Sequence, residues 1–304
     1  MHPYCRSLTE RLSIEQFLEI TLKDNRYSDY EFVSRIRACE LDLRDYDNHE
    51  ASTLNFQTHR DINYRQPVAR RGLRIRIVEE LFTQTFPGAE EDIVLGNHGA
   101  IPETGVKAER KAFILIGPPA SGKSGIAYKI AGSFGAVILD SDFAKRKLPE
   151  FKPNAGGASL VHAESSALVW GEQSIAEITP LVGRCLDAGY NVIAPRIGNK
   201  QPDILNLAKG FRDSGYEVHL TLVSIDRLEA TKRALNRFTE CGRYVPLSLV
   251  FDVYGNDPIL TYYRLKEYHK HDFSSFGKIL TAVPINEPYK VMYSEQGNPA
   301  ELFK

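Results

Sequence analysis

Apolar residues recur at helical spacing through the first third of the chain. Ile14, Phe17, Leu18 and Leu22 repeat at intervals of three and four, and Ser13 with Gln16 has the form of a capping box before them. Phe32, Val33 and Ile36 predict a second helix over 30–43. A third starts near Pro67, which suits a first helical position, and carries the stripe Leu73, Ile77 and Leu81 until Pro87-Gly88 ends it. Gly96-Asn97-His98-Gly99 and Pro102 then predict a loop. From about residue 108 the period changes. Short apolar runs over 112–116, 136–139 and 191–194, the alternating Val218, Leu220 and Leu222, and two late runs over 278–283 and 289–293 predict strands. Helical patterns lie between them, to about Phe134 and over 158–187, 202–212, 228–238 and 256–269. Strand–helix alternation of this kind predicts an α/β fold with a largely parallel sheet. The expected organisation is a mainly helical extension over 1–107 followed by an α/β domain over 108–304.

The sharpest chemical feature opens the first predicted helix of that domain. Gly117-Pro118-Pro119-Ala120-Ser121-Gly122-Lys123-Ser124 satisfies the Walker A pattern in full and runs on through Gly125. An apolar strand precedes it and a helical pattern follows, which is the setting that the motif requires. Backbone N–H groups of such a loop converge on phosphate oxygens at a helix N-terminus. Lys123 would reach the outer phosphates and Ser124 would offer its hydroxyl to Mg²⁺. No guanine-recognition motif and no clear Walker B acid accompany the loop, since the strand over 191–194 ends in Ala194-Pro195. The second strand instead runs into Asp140-Ser141-Asp142. Carboxylates at the C-terminal end of a parallel strand face the ligand crevice, so Asp142 is a candidate general base for an attacking hydroxyl.

These residues, with Gly189-Tyr-Asn-Val-Ile and the closing Phe273-Ser-Ser-Phe and Tyr289-Lys-Val-Met-Tyr, resemble the zeta-toxin group of P-loop kinases over nearly all of 110–295. The resemblance implies a P-loop kinase-type sheet, ATP and Mg²⁺ as cofactors, and transfer to the 3′-hydroxyl of the amino sugar in UDP-N-acetylglucosamine. A related effector branch phosphorylates NAD on a ribose hydroxyl instead. It also implies Asp142 as the base and, with Lys123, two arginines on the transferring phosphoryl group, which fall here on Arg237 and Arg243. Zeta toxins carry a substrate-binding Glu where this chain has Ala194, so the acceptor stays open between a nucleotide-sugar and another ribose-bearing metabolite. A nucleotide-binding switch that transfers nothing is the alternative of another class. Zeta toxins are restrained by a small helical antitoxin, so the implied protein partner is an antitoxin-like inhibitor or the N-terminal helices acting in cis.

Topology suggests further substrate contacts at His162 and Glu164, which open the long helix, and at Arg196 and Asn199 beyond the third strand. Arg65, Arg70, Arg71, Arg74 and Arg76 cluster on the third helix and read as a solvated face balanced by Glu79, Glu80, Glu90 and Glu91. Across 304 residues, 38 Lys and Arg meet 39 Asp and Glu, for a net charge of -1, which argues against nucleic acid as a bulk ligand. The four cysteines form no Cys-x-x-Cys pair, no apolar run approaches a membrane span, and no secretory signal is visible. The expectation is a cytoplasmic protein, with delivery into another cell as an effector left open.

Overall fold

The computed structural model describes residues 5–46, 52–151, 155–173, 175–284 and 287–304. Six apolar runs pair into one sheet: β1 (Lys111–Ile116), β2 (Ala136–Ile138), β3 (Asn191–Arg196), β4 (Glu217–Ser224), β5 (Ser275–Leu280) and β6 (Lys290–Ser294). Their order is β2-β3-β1-β4-β5-β6, parallel throughout except for β6, which lies antiparallel to β5. β1 is central, and the neighbours on its two sides, β3 and β4, are the third and fourth strands in sequence. The chain therefore reverses direction across the sheet at β1, and the crevice at its C-terminal end is where a ligand binds in such folds.

Burial on both faces explains the continuous apolar character of β1. In β4 the residues between the alternating Val218, Leu220 and Leu222 are buried too: His219, Thr221 and Val223 are as enclosed as they are. The polar ones among them find partners: His219 Nδ1 lies 2.8 Å from Ser275 Oγ, and Thr221 donates to Asn298 Oδ1 at 2.9 Å.

The helices are α1 (Arg11–Gln16), α2 (Tyr30–Tyr46), α3 (Pro67–Thr83), α4 (Lys123–Phe134), α5 (Ser141–Lys147), α6 (Ala155–Leu160), α7 (His162–Trp170), α8 (Leu181–Ala188), α9 (Gln201–Asp213), α10 (Arg227–Cys241), α11 (Leu247–Leu249) and α12 (Asp257–Tyr268). Several differ from expectation. α1 begins two residues before Ser13, whose side chain therefore caps nothing, and continues as a π-type turn over Phe17–Leu22. α3 stops at Thr83, before Pro87-Gly88. The helix expected over 158–187 is divided, because Gly171 takes a left-handed φ of 72° at the end of α7 and Pro180 precedes α8. Ser174, within that expected helix, and the first four residues lie outside the described ones.

Residues ahead of 108 are built into the sheet domain in two places. α3 sends Leu73, Ile77 and Leu81 into the same core as β1, and Ala100 accepts from Ile138 N–H at 3.0 Å. α1, α2 and the π-type turn form a second core with Leu235, Phe238 and Leu247 of α10 and α11, and Ala120 of the Walker loop packs against it. Each of those buried aliphatic side chains is worth roughly 1.5–3 kcal/mol, so removing residues 1–100 would strip both cores.

Candidate active site

The loop after β1 is shaped by backbone demands that its residues meet. A Cβ at Gly117 would sit 2.4 Å from the Val223 carbonyl oxygen, so only glycine fits where the loop leaves β1. Gly122 enters α4 at φ 83°, and Ala120 also stands in the left-handed region at 59°. This αL-then-helix course turns successive N–H groups toward one point, an anion cradle. The cradle is braced from outside: Thr281 donates to the Ser121 carbonyl at 2.8 Å, and Arg233 donates to the Thr281 carbonyl at 3.0 Å. Lys123 folds back over the loop, its Nζ 2.7 Å from the carbonyls of both Gly117 and Pro118. Burial pushes its ammonium down to about 7, against the favourable charge of Asp140. Ser124 and Gly125 are exposed at the start of α4. Pro118 and Pro119 complete the loop. The donor set fits a nucleotide phosphate with Mg²⁺ on Ser124, since Mg²⁺ takes most of its ligands from water and phosphate rather than from a protein cage.

Asp140, two residues past β2, caps α5, accepting from the Asp142 N–H at 2.9 Å. The cap turns the first turn of α5, with Asp142, toward the crevice. Tyr128, Phe86 and Phe143 stack behind it with ring centroids 4.0 and 5.3 Å apart, fixing α5 against α4. Lys147, at the far end of α5, is anchored to Glu80 of α3 at 2.7 Å. The Asp142 carboxylate is gripped on both oxygens. Lys145 holds Oδ1 at 2.7 Å, and Arg243 holds Oδ2. Burial opposes its charge, but these two cations outweigh burial and hold its carboxyl well below the usual carboxylate range. Asp140 moves the other way, pushed up to about 7 by burial and by the charge of Asp142.

Arg237 and Arg243 do meet at this site, and what gathers them is a residue that the sequence pattern had placed elsewhere. Glu90 is only 7% exposed. Its carboxylate receives Arg243 Nη1 at 2.9 Å, Arg146 Nε at 3.3 Å and Arg237 Nη2 at 3.8 Å. A cavity of about 190 Å³ opens before this cluster, lined by Glu90, Asp142, Lys145, Arg146 and Arg243 among others.

The four expected substrate contacts separate. His162 is exposed at the start of α7. The charges of Lys145, Asp142, Glu172 and Arg196 are near enough to act on its ring. Arg196 and Asn199 line a second cavity of about 400 Å³ beyond β3, together with Glu172, Lys200 and Asp203. The Arg196 guanidinium lies 3.8 Å from the Trp170 ring centroid. Glu164 does not face the crevice: it is 0% exposed, bound by Arg70 at 2.8 and 2.5 Å and by Arg74 at 2.6 Å. The reason is α3, whose arginine cluster is not the solvated face expected. Arg70 is fully buried between Glu164 and Glu150, while Arg71 and Arg76 remain outside. Lys145 and Arg146 were within reach of sequence reasoning as the basic last turn of a helix opened by Asp142. Glu90, Arg233 and Thr281 carried no local signal.

A central parallel strand and a Walker loop running into a helix define a P-loop protein. The chain belongs to the zeta toxin family, whose model matches residues 102–257, just over half of its length. Solved structures resemble it at low identity. A chain from the molecular and structural characterization of the PezAT chromosomal toxin–antitoxin system of Streptococcus pneumoniae aligns at a TM-score of 0.47 and 14% identity, over 77% of this chain and 84% of that one. A chain of the AvrRxo1-ORF1:-ORF2 complex aligns at 0.43 and 16%, over 82% and 74%. A gluconokinase from Sinorhizobium meliloti 1021 aligns at 0.28 and 12%, over 59% and 86%. No curated protein matches significantly. Among the described residues no helix is long and apolar enough to cross a membrane, and no cluster of three His, Cys, Asp or Glu is placed to hold a metal.

Proposed function

We propose that the protein is an ATP-dependent, Mg²⁺-requiring kinase of a hydroxyl on a nucleotide-type small molecule, with Asp142 as general base. The observation that carries this is the contact between Asp142 and Arg243, 101 residues apart in sequence, on the same C-terminal edge of the parallel sheet as the Walker loop. A passive nucleotide binder has no use for a carboxylate and arginines brought together there. ATP supplies the phosphoryl group and Mg²⁺ offsets its charge. Gly117–Ser124 and Gly125 hold the phosphates through backbone N–H groups, with Lys123 leaving its own loop's carbonyls to meet them. Arg237 and Arg243 stabilise the negative charge that spreads over the transferring group. Asp142 accepts the proton of the attacking hydroxyl. Each cation drawn from Asp142 toward phosphate makes its carboxylate a stronger base, so engagement of the donor and activation of the base are coupled.

UDP-N-acetylglucosamine is the first acceptor to test, on the family's account. Ala194 favours a second reading. It is 0% exposed within β3 and presents no carboxylate to a sugar, so NAD or another ribose-bearing metabolite is the alternative. Arg196, His162 and Asn199 are the proposed acceptor contacts in either case. The experiment is a mass-spectrometric screen with ATP–Mg²⁺ and, separately, UDP-N-acetylglucosamine, NAD and a cell metabolite extract, with Lys123→Ala as control. A phosphoryl gain on the nucleotide-sugar supports the first reading, and a gain on NAD the second. ATP binding without any transfer would favour a nucleotide-dependent switch. An antitoxin-like protein remains the proposed partner, and inhibition by the N-terminal helices in cis a proposal beside it.

A further inference from the structure

We infer that Glu90, on the segment ahead of the Walker strand, is a positioning residue that assembles the arginines of the transfer site. The inference rests on the kinase reading above. Arg146 comes from α5, Arg237 from α10 and Arg243 from the loop after α10. Three guanidinium groups brought together from separate elements repel one another, and the more so where water is excluded. Carboxylates set among them offset that repulsion; Glu91 lies near Arg146 and Arg237 and Asp142 against Arg243, but of these Glu90 alone pairs with all three. Glu90 meets the need in three ways. It is nearly buried, so its charge is poorly screened. It reaches all three arginines. It holds Arg243 by Nη1 only, leaving Nη2 directed at Asp142.

The distances distinguish the roles within the cluster. Arg243 and Arg146 are within hydrogen-bond range of Glu90. Arg237 stands at 3.8 Å, with a side chain 35% exposed, and pairs as loosely with Glu91 at 3.9 Å. Arg243 is therefore locked and Arg237 is held close but free to move toward a phosphoryl group. Glu90 lines the wall of the cavity before Asp142, so the phosphoryl group would approach from the open side and meet arginines already aimed. Misplacement of such groups by about 1 Å can cost about 100-fold in rate.

The test compares full-length wild type, Glu90→Gln and Glu90→Asp in transfer from ATP to UDP-N-acetylglucosamine and to water. Glu90→Gln should lower kcat about 100-fold while KM for ATP stays within about twofold. Glu90→Asp, which keeps the charge but retracts it, should lose only about three- to tenfold. That split in kcat against KM, with partial rescue by the shorter acid, is not what a merely structural ion pair gives. If Glu90→Gln does not fold, Glu90→Asp decides alone: full wild-type kcat overturns the inference. A faster Glu90→Gln would make Glu90 an inhibitory anion and would also overturn it. Active wild type with Glu90→Gln unchanged defeats this inference only, whereas wild type that transfers to neither acceptor, nor to NAD or any component of a cell metabolite extract, defeats the kinase reading and the inference together.

Discussion

The guanidinium of Arg243 lies against the carboxylate of Asp142. The two are neighbours only because α5 and the end of α10 flank the same crevice. Lys145 and then Arg243 hold the Asp142 carboxyl down against burial, so loss of the arginine should be visible in acid. Arg243→Ala is expected to lower kcat about 100- to 1000-fold. It should also move the acid limb of the pH–rate profile upward, toward an ordinary carboxylate near ~4. The pairing stabilises the fold above the unfolded carboxylate pKa, and that contribution disappears as pH falls through the depressed value. Arg243→Ala should therefore narrow the gap in thermal stability between pH 7 and pH 3. A profile unmoved in acid would show that Arg243 does not tune the base.

Asp142→Asn separates binding from chemistry. The loop that would hold phosphate is braced by Thr281 and Arg233 rather than by Asp142. ATP affinity, read by isothermal titration, should stay within about threefold while transfer falls below about one part in a thousand. Equal loss of affinity and rate would mean that Asp142 serves the nucleotide and not the acceptor.

Asp140 should respond to pH with the opposite sign. Its folded pKa is raised to about 7, by burial first and then by Asp142. Its protonated form is thus favoured in the fold, a contribution present below the unfolded value and lost as pH rises through about 7. Asn also caps helices well, so Asp140→Asn keeps the bond to the Asp142 N–H. The variant should gain about 1–2 kcal/mol at pH 8, a figure reduced from the full shift for partial solvent screening. The gain should shrink by pH 5. Thermal melts at the two pH values decide it, and a variant less stable at pH 8 would contradict the assignment.

The parallel sheet and the Walker loop were legible in the sequence because both are local. An apolar run predicts β1, and eight consecutive residues carry the phosphate cradle. Asp142 was legible because it lies only four residues past the end of its strand. Glu90 was not, since its partners lie 56 and 153 positions away in Arg146 and Arg243. Its nearest charged neighbours in sequence suggested a surface face instead. The helix over 158–187 failed for a different reason: apolar periodicity persisted across Gly171 and Pro180, where the backbone turns. Glu164 shows the limit of topology. A carboxylate on the first turn of a helix near the crevice could point either way, and only the docking of α3 supplies the buried arginine that turns it inward.

That docking makes Glu164 a test of fold against function. Its carboxylate is wholly buried with Arg70, and Arg74 closes over it. Burial opposes its charge, but the arginines hold its carboxyl below the usual range. Removing one partner of such a pair typically costs about 3–5 kcal/mol because the other charge is left behind. Here Glu150 still holds Arg70 at 2.6 Å, so Glu164→Gln should sit near the lower end, at about 3 kcal/mol. The loss should appear as a lower urea midpoint at an unchanged slope. The folded fraction should keep its KM for the acceptor, because this carboxylate is fully buried with Arg70 and Arg74 and presents no oxygen to the surface. If stability were intact and KM for the acceptor rose tenfold, Glu164 would be a substrate ligand after all, and the Arg70 pair would have to open in the working enzyme.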